Sequence, residues 1–441
     1  MLALQKYQNK KIAIYGMGLT GRSAAKILRK SKSKILCWDD SEKTRKKLKK
    51  LNFPIRKFWN DRNLVDIILI SPGIDINQSK ISGFLKRNTE KIITDLDLFF
   101  ELNKSRLIIS ITGTNGKSTT CKIIEKILKT ANLKVKTIGN IGKPVLSTNF
   151  SDKKNIFILE ASSYQLQYSK LFRSKHAAIL NISPDHIERH KNIKNYIKVK
   201  TKIFLAQKKN DYSYINLRSK YYKLIKNIFK KNHLKSKLIS IDRSNLDFLL
   251  KKINNKYFKS NGNIENLSFA YKIAKNLGIK DKTIIKAINE FKGLSHRQEI
   301  IFSSKKLLCV NDSKATSFDA SLQSLLNYNK IYWIVGGIPK DKDKFNLKSV
   351  KKKIVRAYII GKNAAFFKKQ LKNKVFYSVS KNLKNAINDI YKDIRLDKNS
   401  QSTILLSPAG ASFDQFDNFE KRGSFFKKLI QKKLKKPNVY F

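Results

Sequence analysis

The chain has 441 residues, 41% of them hydrophobic, a length that calls for two or three domains rather than one core. Its 94 Lys and Arg against 32 Asp and Glu give a net charge of +62, and its three scattered cysteines imply a reducing compartment. Apolar runs such as Ile67–Ile70 are strand-sized, and Met1–Lys6 has no apolar signal core, so a cytoplasmic chain without membrane insertion is expected.

The charge raises a nucleic-acid reading, because a basic surface gains affinity by counterion release. Lysines are spread through most segments, however, and are densest where nothing else is informative, as in Lys220–Lys237. Asn and Ile are abundant too, and glycine is scarce at 17 of 441. A drift of the whole composition explains this more simply than one binding face. No specific nucleic-acid partner is expected, although weak adhesion to polyanions follows. In such a chain the eleven of the 17 glycines that cluster, at 16, 18, 21, 73, 113, 116, 139, 142, 336, 337 and 410, mark positions where the backbone needs them.

The first segment opens with strand Lys11–Tyr15, the turn Gly16-Met17-Gly18-Leu19-Thr20-Gly21, and a helical stretch to about Leu28. A second strand, Lys34–Trp38, ends in Asp39-Asp40. This is a βαβ opening with the Gly-x-Gly-x-x-Gly spacing of nucleotide-binding folds, and an acid about 20 residues on. The pattern indicates a nucleotide-like phosphate before it indicates NAD. A third strand, Val65–Ile70, ends at Ser71-Pro72-Gly73. Ligands gather at that edge in open α/β sheets.

The second segment carries the strongest signal. Strand Ile108–Thr112 runs into Gly113-Thr114-Asn115-Gly116-Lys117-Ser118-Thr119, and a helical pattern follows over Cys121–Lys129. Backbone N–H groups freed by the glycines point at phosphates, Lys117 adds a compact charge, and the Ser118 hydroxyl can ligate Mg²⁺. Ile111 stands where the longer form of this loop has its first glycine. ATP use is the premise that follows. Strands Ile156–Glu160 and Ala177–Asn181 continue the segment. Glu160, closing a buried-looking strand near a phosphate loop, suits a Mg²⁺ ligand; capping the next helix is the alternative. His186, in Ser183-Pro184-Asp185-His186, also follows a strand and is a ligand candidate or a structural histidine.

The third segment starts after His296-Arg297, with Leu307–Val310 as its first strand. Strands Ile331–Val335, Ala357–Ile360 and Thr403–Ser407 alternate with helices. Asp312-Ser313-Lys314-Ala315-Thr316 and Ser407-Pro408-Ala409-Gly410-Ala411-Ser412 are strand-to-helix turns suited to an anionic ligand or, alternatively, to plain capping. The expected fold is α/β in three domains: a Rossmann-like domain over 1–94, a central P-loop domain over 95–297, and a C-terminal Rossmann-like domain over 298–441.

Taken in order, the phosphate loop, Glu160 with Ser162-Ser163, Asp185-His186, His296-Arg297, Asp312–Thr316 and the turn ending Asp414-Gln415-Phe416 resemble the Mur ligases over essentially the whole chain. These are the ATP-dependent ligases that build the peptide of bacterial cell-wall precursors, and the likeness is to the branch that adds D-glutamate. The resemblance implies an amide ligase acting on UDP-N-acetylmuramoyl-L-alanine and D-glutamate through an acyl phosphate, with ATP and Mg²⁺, as a cytoplasmic monomer. It implies that Leu19, Thr20, Asp39, Ser71, Pro72 and Gly73 hold the uridine nucleotide, and that Asn140, Ser162 and Gln165 face the muramoyl-alanine end. Gly113, Thr114, Asn115, Gly116, Lys117, Ser118, Thr119, Asn266, Arg297, Asp312 and Lys314 would contact ATP. Glu160, His186, Ser118 and a carbamylated Lys200 would bind Mg²⁺, with Lys117, Glu160, His186 and Lys200 catalytic. Thr316, Lys340, Ser412 and Phe419 would receive D-glutamate. A ligase adding another amino acid, or one extending folate, shares the phosphate loop, but the N-terminal glycine-rich segment and Asp312–Thr316 speak against both.

Overall fold

The computed structural model describes residues 2–60, 65–139, 144–148, 152, 154–340, 343–394 and 401–434. Among the described residues, three sheets account for the strands. The first holds β1 (Lys11–Tyr15), β2 (Lys34–Trp38), β3 (Ile67–Ile70) and β4 (Ile92–Thr94) in the order β2-β1-β3-β4. The second holds β5 (Ile108–Thr112), β6 (Val135–Gly139), β7 (Ile156–Glu160), β8 (His176–Ile179), β9 (Tyr212–Asn216) and β10 (Lys237–Ile241), ordered β10-β9-β8-β5-β7-β6. The third holds β11 (Glu299–Ser303), β12 (Leu307–Asn311), β13 (Ile331–Gly336), β14 (Ile354–Ile360), β15 (Tyr377–Lys381) and β16 (Ser402–Leu406), ordered β11-β12-β16-β13-β14-β15.

The first two sheets are parallel throughout. That follows from strands such as Ile-Ile-Ser-Ile-Thr in β5, which are buried on both faces and need helices above and below. The third sheet departs from the sequence expectation at one edge. Its first strand is β11, not Leu307–Val310, and it pairs antiparallel with β12. Half-exposed, with Glu299 at its start, β11 lacks the continuous apolar run that reveals its neighbours.

The chain forms two compact units, Met1–Phe291 with the first and second sheets and Lys292–Phe441 with the third. In the first unit one apolar core runs from Ile12 and Ala24, through Leu96, Leu98 and Phe99 of the helix Asp95–Leu102, to Phe157 and Ile179. Strand order reverses at β1 in the first sheet and at β5 in the second, and crevices at the carboxyl ends of strands open at such points. The glycine turn after β1 and the phosphate loop after β5 occupy those two places. Among the described residues no helix is long and apolar enough to cross a membrane.

Candidate active site

The phosphate loop is held from beneath by the turn after β8. Thr114 N donates to Asn181 O at 2.8 Å, Asn115 N to the Asn181 side-chain oxygen at 2.8 Å, and Thr114 Oγ1 to Ser183 O at 3.1 Å. Gly116, at φ +83°, caps the helix Lys117–Thr130 and packs directly on Asn266, whose Oδ1 would stand 2.2 Å from a Cβ there. Asn266 is fixed in turn by Thr120 Oγ1 at 3.2 Å. Lys117 folds back over the loop and donates to Gly113 O and Thr114 O at 2.9 and 2.8 Å. The loop thus combines the amino end of a helix with a lysine charge, which is what a polyphosphate needs.

Glu160, at the end of β7, accepts from Ser118 Oγ at 2.7 Å, and both are buried. It does not cap the following helix. That role belongs to Ser162, which forms a reciprocal capping box with Gln165. Lys200 is 1% exposed and donates to Gly113 O at 2.9 Å and Thr112 Oγ1 at 3.2 Å. Burial, with the nearby Lys117 charge adding to it, holds its amine well below the ordinary lysine pKa. His186 sits in the left-handed region at φ +53°; its Nδ1 meets Tyr164 OH at 3.1 Å, and its Nε2 lies 3.5 Å from Asp185 Oδ2.

A cavity of about 830 Å³ joins these groups to the first sheet. On the first-sheet side it is lined by Leu19, Thr20, Asp39, Ser71, Pro72 and Gly73. On the second-sheet side it is lined by Lys117, Ser162, Gln165, His186 and Lys200. Asp39 is already committed to the glycine turn, accepting from Met17 N at 2.7 Å and Ser41 N at 3.0 Å. Gly21 is required here, because a Cβ would fall 2.1 Å from Gly16 O. Asn140 lies outside the described residues.

The remaining expected residues lie in the second unit: Asp312, Lys314, Thr316, Lys340 and Ser412 follow the adjacent parallel strands β12, β13 and β16, Arg297 precedes β11, and Phe419 opens the helix Phe419–Leu434. Asp312 is buried; Ser324 Oγ and Ser407 Oγ donate to it, Gln298 N donates at 3.2 Å, and desolvation pushes its carboxyl up to about 6. Lys314 N donates to His296 O at 3.0 Å, next to Arg297, and its ammonium lies 5.4 Å from the Phe419 ring centre. Ser412 is buried, Thr316 is half-buried and Lys340 is exposed. Arg422, which the sequence did not single out, ties these turns together by donating to Ser313 Oγ, Ser313 O and Gly410 O at 3.0, 2.9 and 3.0 Å.

Sequence reasoning also missed Asp95, Tyr164, Tyr196 and Arg189. Tyr164 and Tyr196 line the cavity, and Tyr196 lies one helical turn before Lys200, which was the available signal. Asp95 is fully buried against Gln165, whose Nε2 donates to it at 3.3 Å, and desolvation pushes its carboxyl up to about 6.

Residues 111–279 match the description of the Mur ligase middle domain. The UDP-N-acetylmuramoylalanine–D-glutamate ligase of Rickettsia felis is 36% identical, the match covering 97% of this chain and 98% of that one. The chain belongs to the Mur ligases. The fold agrees with solved members at much lower identity. The UDP-N-acetylmuramate–alanine ligase of Thermotoga maritima aligns at 15% identity and TM-score 0.52, over 96% of this chain and 99% of that one. The bifunctional folylpolyglutamate/dihydrofolate synthase of Yersinia pestis has 15% identity and TM-score 0.54, over 76% and 93%. The Mur ligase fold is therefore shared beyond cell-wall chemistry, and the full-length Rickettsia likeness is what separates this chain from the folate branch.

Proposed function

We propose that this Mur ligase joins D-glutamate to UDP-N-acetylmuramoyl-L-alanine at the expense of ATP. The observation that carries the reading is the cavity connecting the glycine turn after β1 to Lys117 of the phosphate loop after β5, in a chain similar over nearly its whole length to a D-glutamate ligase. A carboxylate is a poor acyl donor. Its oxygen therefore attacks the γ-phosphorus of ATP, the bond to the β-phosphate oxygen breaks, and an acyl phosphate and ADP result. The amine of D-glutamate then adds to the acyl carbon, and the tetrahedral adduct expels phosphate. The protein contributes positioning and electrostatics.

In this reading Leu19, Thr20, Asp39 and the Ser71–Gly73 turn hold the uridine nucleotide, while Ser162, Gln165 and Asn140 orient its muramoyl-alanine end. Gly113–Thr119 and Asn266 cradle the ATP phosphates, with Lys117 swinging from Gly113 O onto them. Ser118 and Glu160, two hard oxygens already 2.7 Å apart, fit a magnesium ion, with His186 and carbamylated Lys200 completing the set. When bound, that ion neutralises phosphate charge. The lowered pKa of Lys200 favours the neutral amine, the form that carbamylation requires. In the second unit Arg297, Asp312 and Lys314 contact ATP, and Thr316, Lys340, Ser412 and Phe419 receive D-glutamate. The domains divide as 1–94, 95–297 and 298–441, and the enzyme acts as a cytoplasmic monomer.

The test supplies UDP-N-acetylmuramoyl-L-alanine, Mg²⁺ and ATP, and follows phosphate release with D-glutamate, meso-diaminopimelate, DNA or nothing added. Release that depends on D-glutamate is expected. A folded protein that releases phosphate with another acceptor, or with none, refutes the proposal.

A further inference from the structure

Arg189 lies three residues after His186, on the short helix Ile187–His190, and its side chain is only 7% exposed. Its guanidinium reaches back to the first sheet. Nη2 donates to Ile74 O, Nη1 lies 3.5 Å from Gly73 O, and Nε is 3.7 Å from Asp75 Oδ2. On the second-sheet side Nε donates to Gln167 Oε1 at 2.7 Å. The same plane lies 5.3 Å from the Tyr164 ring centre and 5.9 Å from that of Tyr168. Tyr168 doubles the link, its hydroxyl donating to Asp75 Oδ1 at 3.2 Å and accepting from Ile76 N at 3.1 Å. Tyr164 passes it on, through its hydroxyl, to His186 Nδ1 at 3.1 Å. A continuous chain of contacts therefore runs from the turn after β3 to His186, and both of its ends line the cavity.

We propose that Arg189 is a positioning residue for the ligase reaction: it sets the spacing between the turn that holds the uridine nucleotide and the groups that act on the far end of the same substrate. The proposal rests on the functional reading above. The first and second sheets already share an apolar core, so the fold does not depend on this arginine for cohesion. What the core lacks is directional register, because apolar contact is non-directional. A substrate anchored at one sheet and activated at the other must bring its carboxylate to within about 3–3.5 Å of the phosphorus, where an error near 1 Å costs about 100-fold in rate. A planar fork that takes two carbonyls and an amide oxygen while stacking on two rings supplies that register. A lysine supplies the charge but not the fork.

The experiment uses the full chain and compares Arg189→Met, Arg189→Lys, Tyr168→Phe and the Arg189→Met/Tyr168→Phe pair. D-glutamate-dependent phosphate release gives kcat, and calorimetric titration with UDP alone and ADP alone reports each anchoring end. For Arg189→Met, a loss in kcat of about 30- to 100-fold is expected, with UDP and ADP each binding within twofold of the parent. Arg189→Lys should stay at least tenfold below the parent, and the double variant should lose less than the product of the single losses. Unchanged kcat in Arg189→Met overturns the proposal. So does a joint fall of UDP affinity, ADP affinity and kcat, which would mark a general loss of structure, and so does full activity in Arg189→Lys. Should Arg189→Met not fold, Tyr168→Phe carries the same expectation at about threefold to tenfold in kcat, and unchanged kcat there overturns the proposal equally. A parent enzyme without D-glutamate-dependent release would instead sink the functional reading, so the two failures are distinguishable.

Discussion

Gly116→Ala tests whether the phosphate loop is held in a conformation that only glycine tolerates. At φ +83° an alanine costs about 1–2 kcal/mol. Its Cβ would also stand 2.2 Å from Asn266 Oδ1, so the amide must move and release the 3.2 Å bond from Thr120 Oγ1. That bond is worth about 1 kcal/mol. The two effects together come to about 2–3 kcal/mol, which at 1.4 kcal/mol per tenfold is about 30- to 150-fold in an equilibrium constant. If the empty loop relaxes, ADP must restore it, and the whole cost appears as weaker ADP binding. If the loop stays strained, the cost appears in the urea unfolding free energy instead. Calorimetry with ADP and urea unfolding measured on the same protein capture both routes, while UDP binding serves as the control and should not change. ADP affinity within threefold of the parent, together with an unaltered unfolding free energy, would refute the reasoning.

Two further outcomes are expected. Lys200→Ala and Lys200→Arg should each lower kcat for phosphate release by at least about 100-fold, as removal of one preorganised electrostatic group does, with ADP binding nearly kept; an arginine variant with a tenth of parental activity would exclude the carbamylated role. Asp95 has a carboxyl raised to about 6 by burial, so its contribution to stability is fully present below the unfolded value near ~3.9 and is lost as pH rises through about 6. Asp95→Asn removes that slope, and between pH 4 and pH 7.5 its stability relative to the parent should improve by about 2–3 kcal/mol in urea unfolding; parallel pH profiles would count against the assignment.

Glycine scarcity is what made much of this site legible from residues alone. Gly16 to Gly21, Ser71–Gly73 and Gly113–Gly116 each follow a buried apolar strand; the first two turns line one cavity because a parallel sheet puts them on the same edge, and the third reaches that cavity through Lys117. Lys200 was visible only through resemblance, since one lysine in a chain with 94 basic residues carries no local mark. The same holds for Arg189 and Arg422, whose partners include Ile74 and Ser313, 115 and 109 residues away, and are set by packing rather than spacing. Asp95 reads as an ordinary first-turn acid until Gln165 is seen against it. An edge strand such as β11 needs to satisfy burial on one face only, and its pattern is weak for that reason.

The helix Asp95–Leu102 sets a limit on how this protein can be taken apart. Leu96, Leu98 and Phe99 belong to the same core as Ile12 and Phe157, so cutting the chain after Thr94 leaves the first sheet with an exposed apolar face. Such a fragment should aggregate rather than fold. The part built on the first sheet is thus a lobe that melts together with its neighbour, and a screen for ligands of that lobe needs at least residues 1–291 as its target.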